Sequence, residues 1–143
     1  MSEKITKIKQ PIVDEMAGFE PYFKSALKSP YGLLTLVTNY ILRRKGKQMR
    51  PMLVFLSAKA SGGVNDSTYA AATLIELLHT ATLVHDDVVD ETYLRRGQWS
   101  VNAIWNSKIS ILVGDFFLAR GLKIALDGNH YDVLRVVSDA VSE

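Results

Sequence analysis

The 143-residue chain has no cysteine. Disulfide frameworks, thiolate nucleophiles and cysteine-ligated zinc are therefore excluded together, and a reducing compartment such as the cytoplasm fits. Four prolines and nine glycines are too few for a collagenous or low-complexity chain. Aromatic residues make up only 9%, yet 48% of the chain is hydrophobic. That is too much for intrinsic disorder and enough for the core of one domain, or of a piece of a larger one. Neither sign of charge dominates, because 17 Lys and Arg face 15 Asp and Glu for a net charge of +2. No nucleic-acid partner is expected on that balance, and any electrostatic function must sit in local clusters. Long apolar runs are missing as well. The longest stretch, Ile109 to Leu126, is broken by Asp115, Arg120 and Lys123, and the N-terminal MSEKITKIKQ lacks the apolar centre of a signal peptide. A soluble chain without a transmembrane segment is expected.

What is there is helical spacing almost throughout. Ile5, Ile8, Ile12, Met16 and Phe19 form one stripe, after which Pro21 and Pro30 punctuate the chain. Leu33 to Ile41 marks a second helix, ending near the basic run Arg43-Arg44-Lys45. Pro51 suits the first turn of a third helix, which carries Met52 to Ala60 and stops at Gly62-Gly63. Asp66 or Ser67 can cap a long fourth helix over about 69–93, broken by Arg95-Arg96-Gly97. Ser107 to Leu126 reads as a buried helix, Asp127-Gly128-Asn129 as a turn, and Tyr131 to Val141 as a last helix. With little strand alternation and no repeat, the class is all-α.

The chemistry is concentrated in His79 to Gly97. On a helix, Asp86 and Asp90 stand four residues apart on one face, Asp87 borders that face, and His79 lies two turns earlier on the same stripe. Three neighbouring carboxylates repel one another unless a cation neutralises them. A lone Asp-Asp pair is most often a solvated face, but this cluster interrupts an apolar helix facing an expected cavity. Two arginines, Arg95 and Arg96, follow within eleven residues of Asp86 and suit forked contacts to diphosphate oxygens. Oxygen ligands without cysteine favour Mg²⁺, which is usually held by one or two carboxylates together with water and substrate phosphate. The alternating ligands of an EF-hand and the Gly-rich loop of a P-loop ATPase are both missing. A second basic group, Lys47 and Arg50, sits three residues apart where one helix ends and the next begins. Spacing leaves this pair open between an exposed basic corner and an anion site at a helix N-terminus. Arg43, Arg44 and Lys45 read as an exposed corner.

These motifs resemble the trans-isoprenyl diphosphate synthases, the polyprenyl synthetase family, over their N-terminal part. The matching stretches are GKQMRP at 46–51, LLHTATLVHDDVVDETYLRRG at 77–97 and VNAIWNSKISILVGDFFLAR at 101–120. The resemblance implies an all-α antiparallel bundle that condenses an allylic diphosphate with isopentenyl diphosphate and releases pyrophosphate. It implies that Asp86 and Asp90 ligate Mg²⁺ and that Asp87 belongs to the same catalytic motif. Arg95 is implied to hold the allylic diphosphate, and Lys47, Arg50, His79 and Arg96 the isopentenyl diphosphate. It further implies a homodimer for the full-length protein.

The small residues Ala81 and Thr82, five and four before Asp86, leave the expected tail path open, as in medium- and long-chain, octaprenyl-type synthases. An Ala81→Phe substitution is expected to shorten the product. The second aspartate-rich motif of the family has no counterpart in the 143 residues, so a fragment without turnover is expected. Three rivals are a regulatory subunit of a heteromeric synthase, a helical scaffold and a class I terpene cyclase. Intact aspartates oppose the first, and the doubled basic set opposes the last, since a cyclase needs no second diphosphate site.

Overall fold

In a computed structural model of the chain, residues 2–44 and 46–143 are described. Lys45, read as part of the basic corner, lies outside them. The element order is α1 (Glu3–Lys9), a 3-10 turn (Gln10–Ile12), α2 (Val13–Ala26), α3 (Gly32–Leu42), α4 (Met49–Ala60), α5 (Asp66–Val89), β1 (Leu94–Arg95), β2 (Gln98–Trp99), α6 (Val101–Ile104), α7 (Ser107–Asp127) and α8 (Tyr131–Ser142). The all-α class holds, and the single departure among the described residues is a two-stranded antiparallel hairpin.

The long helix α5 is the central element. It packs most extensively on α7 and also touches α2, α4, α6 and α8. The close α5–α7 approach depends on glycine. A Cβ added at Gly114 would stand 2.1 Å from the His85 ring, and one at Gly121 would stand 2.8 Å from Leu74. Seven residues apart, the two glycines lie on one face of α7, so they form a smooth track against α5. The core gathers Ile12, Phe19, Val37, Met52, Phe55, Leu77, Ala81, Val113 and Phe117. Phe55 meets Phe19 and Tyr69 edge-on, at centroid distances of 5.8 and 5.0 Å.

Several boundaries differ from the expectations. The first stripe is not one helix, because Pro11 lies in the 3-10 turn that separates α1 from α2. Pro21 does not end a helix either, but sits inside α2. Its position and that of Ala17, whose carbonyl it leaves without an amide donor, are both exposed, so water can serve that carbonyl while Met16, Phe19 and Phe23 stay buried. The cap of α5 is Asn65 rather than Asp66 or Ser67. Its Oδ1 accepts from the Thr68 amide at 3.1 Å, and the Thr68 hydroxyl accepts in turn from the Asn65 amide at 3.1 Å.

The fourth helix stops at Val89, not near Tyr93. The Thr92 amide donates to the Asp87 carbonyl at 2.8 Å and the Glu91 amide to that of Val88 at 3.3 Å. Glu91 takes the left-handed position, φ 51°, that glycine normally fills in such a terminus. The chain then turns back through the hairpin, pairing Leu94 with Trp99 and Arg95 with Gln98. Positive φ at Arg96 (53°) and Gly97 (75°) makes the tight turn.

Candidate active site

α5 delivers the acidic residues in its last turn. Asp86 and Asp90 are exposed, and neither side chain has a hydrogen bond or ion pair with a described residue. Asp87 differs. It is 6% exposed, and its Oδ1 accepts from Arg95 Nε at 3.0 Å and Nη2 at 2.6 Å. The expected trio of carboxylates is thus divided. The cation that offsets Asp87 is Arg95, while Asp86 and Asp90 remain without a partner. Both lie exposed at the end of the helix among the described residues.

The hairpin makes this division possible by folding Arg95 back onto the end of α5. Its side chain joins two groups of residues. That guanidinium is stabilised in its charged form first by the hydrogen bond it donates to Asp87 and then, against the cost of burial, by the charges of Asp87, Asp86 and Asp90. On the other side its charge reaches His79. The proton affinity of half-buried His79 is pushed down by burial first, then by Arg50, Arg95 and Arg96. Three guanidinium groups from α4 and the hairpin therefore act electrostatically on one imidazole of α5, which is neutral at neutral pH.

Arg96 reaches this place from a strained backbone. In a tight hairpin turn its left-handed position favours asparagine or glycine. Its Nη1 would lie 3.4 Å from a Cβ at Gly46, which places the guanidinium in contact range of that loop. Arg50 stands in the first turn of α4, behind Gln48 at φ 52°. Lys47 lies exposed in the same loop and makes no ion pair with a described residue. Of the expected basic set, Arg50, Arg95 and Arg96 all lower the proton affinity of His79, while Lys47 has no ion pair with a described residue.

Two groups escaped the sequence reading. Glu76, one turn before His79, has a buried Oε2 without a hydrogen-bond partner. Burial pushes its carboxyl above the usual range, and the Arg50 charge pulls it partly back. A single acid within an apolar helix was the available signal. Arg44, expected in a solvated corner, instead stacks 3.9 Å over the Tyr40 ring and donates to the Trp99 carbonyl, which also accepts from the Tyr40 hydroxyl at 2.6 Å. It clamps the end of α3 to the hairpin. Ala81 is likewise not on an open path. It is fully buried in the core, whereas Thr82, on the Asp86 face, is exposed.

The donor set fits a partly hydrated hard cation. No group of three or more acids or histidines converges into a cage among the described residues. Two unpartnered carboxylates one turn apart offer an incomplete oxygen shell, which Mg²⁺ characteristically completes with water and phosphate oxygens.

Comparison with known proteins identifies the family and the fold. The chain is 38% identical over 134 residues to the all-trans-nonaprenyl-diphosphate synthase (geranyl-diphosphate specific) of Rhodobacter capsulatus, covering 93% of this chain and 41% of that protein. It is 38% identical to the octaprenyl diphosphate synthase of Escherichia coli (strain K12), covering 96% of this chain and 43% of that one. The chain thus spans about two-fifths of the length of these relatives. The crystal structure of a decaprenyl diphosphate synthase from Rhodobacter capsulatus superposes with a TM-score of 0.88 at 31% identity, covering 96% of this chain and 43% of that one. A polyprenyl synthase from Caulobacter crescentus, complexed with calcium and isoprenyl diphosphate, superposes equally well, with a TM-score of 0.88 at 31% identity over 95% of this chain and 42% of its own. The polyprenyl synthetase family model matches residues 32–143, which include every acid and base of the site, and to that family the chain belongs.

Proposed function

We propose that this chain carries the substrate-binding and first metal-binding half of a prenyltransferase that condenses isopentenyl diphosphate with an allylic diphosphate. The observation that carries the reading is the two-sided arrangement around Arg95. Its charge acts on the two unpartnered carboxylates, Asp86 and Asp90, and on His79, whose proton affinity Arg50 and Arg96 lower as well. The names of the relatives favour the same chemistry over a regulatory subunit, a scaffold or a terpene cyclase.

On this reading Asp86 and Asp90 hold Mg²⁺, the hard cation their oxygens suit. The bound ion supplies Lewis-acid charge that helps diphosphate leave. Arg95, fixed by Asp87, orients the allylic diphosphate. Arg50, Arg96 and neutral His79, with Lys47 swinging in, hold the isopentenyl diphosphate so that its double bond meets the allylic carbon, an effect of position. The allylic C–O bond breaks, a C–C bond forms to the alkene, and the proton lost from the new chain goes to the departing pyrophosphate.

The product is a long polyprenyl diphosphate of the octaprenyl type, in keeping with the named relatives and with no bulky side chain at Thr82. The residue to enlarge is Thr82 rather than Ala81, because a ring at Ala81 would overpack the core. A homodimer in a cytoplasmic setting completes the reading. It is supported by the exposed apolar Tyr31, Leu33 and Leu112 around a groove between α3 and α7, and no described helix is long and apolar enough to cross a membrane. With one aspartate-rich motif, the 143 residues by themselves are expected to bind diphosphates without turnover.

The test is calorimetric titration of a non-hydrolysable allylic diphosphate analogue with and without Mg²⁺. Metal-dependent binding that disappears in Asp86→Ala and Asp90→Ala supports the proposal. Equal binding by the wild type and both variants overturns it.

A further inference from the structure

We propose that a cavity between α2 and α3, away from the acidic site, binds a small organic phosphate through Lys28 and Arg43, with its apolar part against Leu27 and Leu42. The cavity measures about 780 Å³, a size that accommodates a small-molecule ligand. Its charged lining comprises Lys24, Lys28, Arg43 and Glu20. Glu20 is already engaged with Lys24 at 3.1 Å. Lys28 and Arg43 have no side-chain hydrogen bond or ion pair with a described residue. Both are exposed cations lining the same cavity, and a phosphate monoester dianion offers a negative charge to each, which a monocarboxylate does not. Arginine offers the forked donors and lysine the point charge that phosphate oxygens take.

Thr38 closes the floor of the cavity and is 4% exposed. Its Oγ1 has no hydrogen-bond partner among the described residues and is itself shut off from solvent, so it lies behind the cavity surface and costs stability without touching a ligand. Arg120 Nη2 donates to the Lys28 carbonyl at 2.6 Å and so anchors the segment that carries Lys28. α3 separates this cavity from the acidic site. Thr38, Leu42 and Arg43 face α2, while Tyr40 and Arg44 on the same helix are tied to the hairpin.

The experiment is a metal-free amide NMR titration of the 143-residue chain with inorganic phosphate and with isopentenyl monophosphate, at constant ionic strength. Saturable shifts at the amides of Lys28, Thr38 and Arg43 are expected, with the ester binding more tightly than phosphate. In Lys28→Ala/Arg43→Ala the cavity response should weaken by about tenfold or more, while Arg50→Ala leaves it intact. Thr38→Val should leave binding unchanged while preserving or raising Tm, since it removes an unsatisfied hydroxyl behind the cavity wall; the single variants Lys28→Ala and Arg43→Ala, each expected to weaken the response, keep the test informative if the double variant folds poorly. Linear, non-saturating shifts, equal response in the double variant, or loss in Arg50→Ala instead would each overturn the proposal. Equal affinity for phosphate and ester would overturn the role of Leu27 and Leu42.

Discussion

Asp86, Asp87 and Asp90 are the same residue type within five positions, yet their surroundings give them different work. Asp87 is buried against Arg95, so Asp87→Ala removes a charged hydrogen bond and leaves a guanidinium without its partner. A loss of about 2 kcal/mol is expected, which a domain of this size registers as a fall in Tm of roughly 4–8 °C. Asp86→Ala and Asp90→Ala remove exposed carboxylates that repel each other. Their Tm should hold or rise slightly by calorimetry, even as metal-dependent binding is lost. Glu76 gives a pH-dependent contrast. Burial raises its folded pKa, so its contribution to stability is present below the ordinary carboxylate range and is lost as pH rises toward the folded value. Glu76→Gln should therefore raise Tm at neutral pH, and the gain should vanish below about pH 4. A Tm gain that stays constant across this range would contradict the burial of a charge at Glu76.

Among the elements, α5 is decisive because it carries both the core and the acidic residues. Its register is set at one end by the reciprocal Asn65–Thr68 cap, so Asn65→Ala should lower the denaturant midpoint by the equivalent of about 1 kcal/mol. Against α7 the limit is steric. Gly121→Ala puts a methyl group where Leu74 stands and should cost about 1–3 kcal/mol, measured by urea unfolding. The helix itself was legible from the period of Leu74, Leu77, Ala81 and Val84. Its end was not. Glu91 occupies a left-handed position with no glycine to announce it, and Arg96 repeats the omission in the hairpin. The chain enforces both conformations through hydrogen bonds made after the turn, which local preference cannot reveal.

For the whole molecule, the field around His79 is the quantity to measure. Its folded pKa lies below the ordinary histidine value because burial and then Arg50, Arg95 and Arg96 oppose the charged form. The stability tied to neutral His79 is complete above about pH 6.5 and is lost as pH falls from there toward the folded pKa. A diphosphate that settles among the guanidinium groups should offset their charge and raise that pKa. NMR titration of the His79 ring with and without isopentenyl diphosphate would register the rise. An unchanged midpoint would place the anion elsewhere.

The sequence by itself determined the helical order, the shared face of Asp86 and Asp90, and the basic residues that accompany them. Helical geometry repeats every 3.6 residues whatever the rest of the chain does, so these relations are local. Only the tertiary structure decided that Asp87 is committed to Arg95, that Arg44 clamps the hairpin, that Ala81 is buried in the core, and that the charges of Arg50, Arg95 and Arg96 all bear on His79. Each of those outcomes depends on which faces come into contact across separate segments. The backbone turn at Arg96 and the glycine track of α7 set those contacts, and no periodicity in the sequence encodes them.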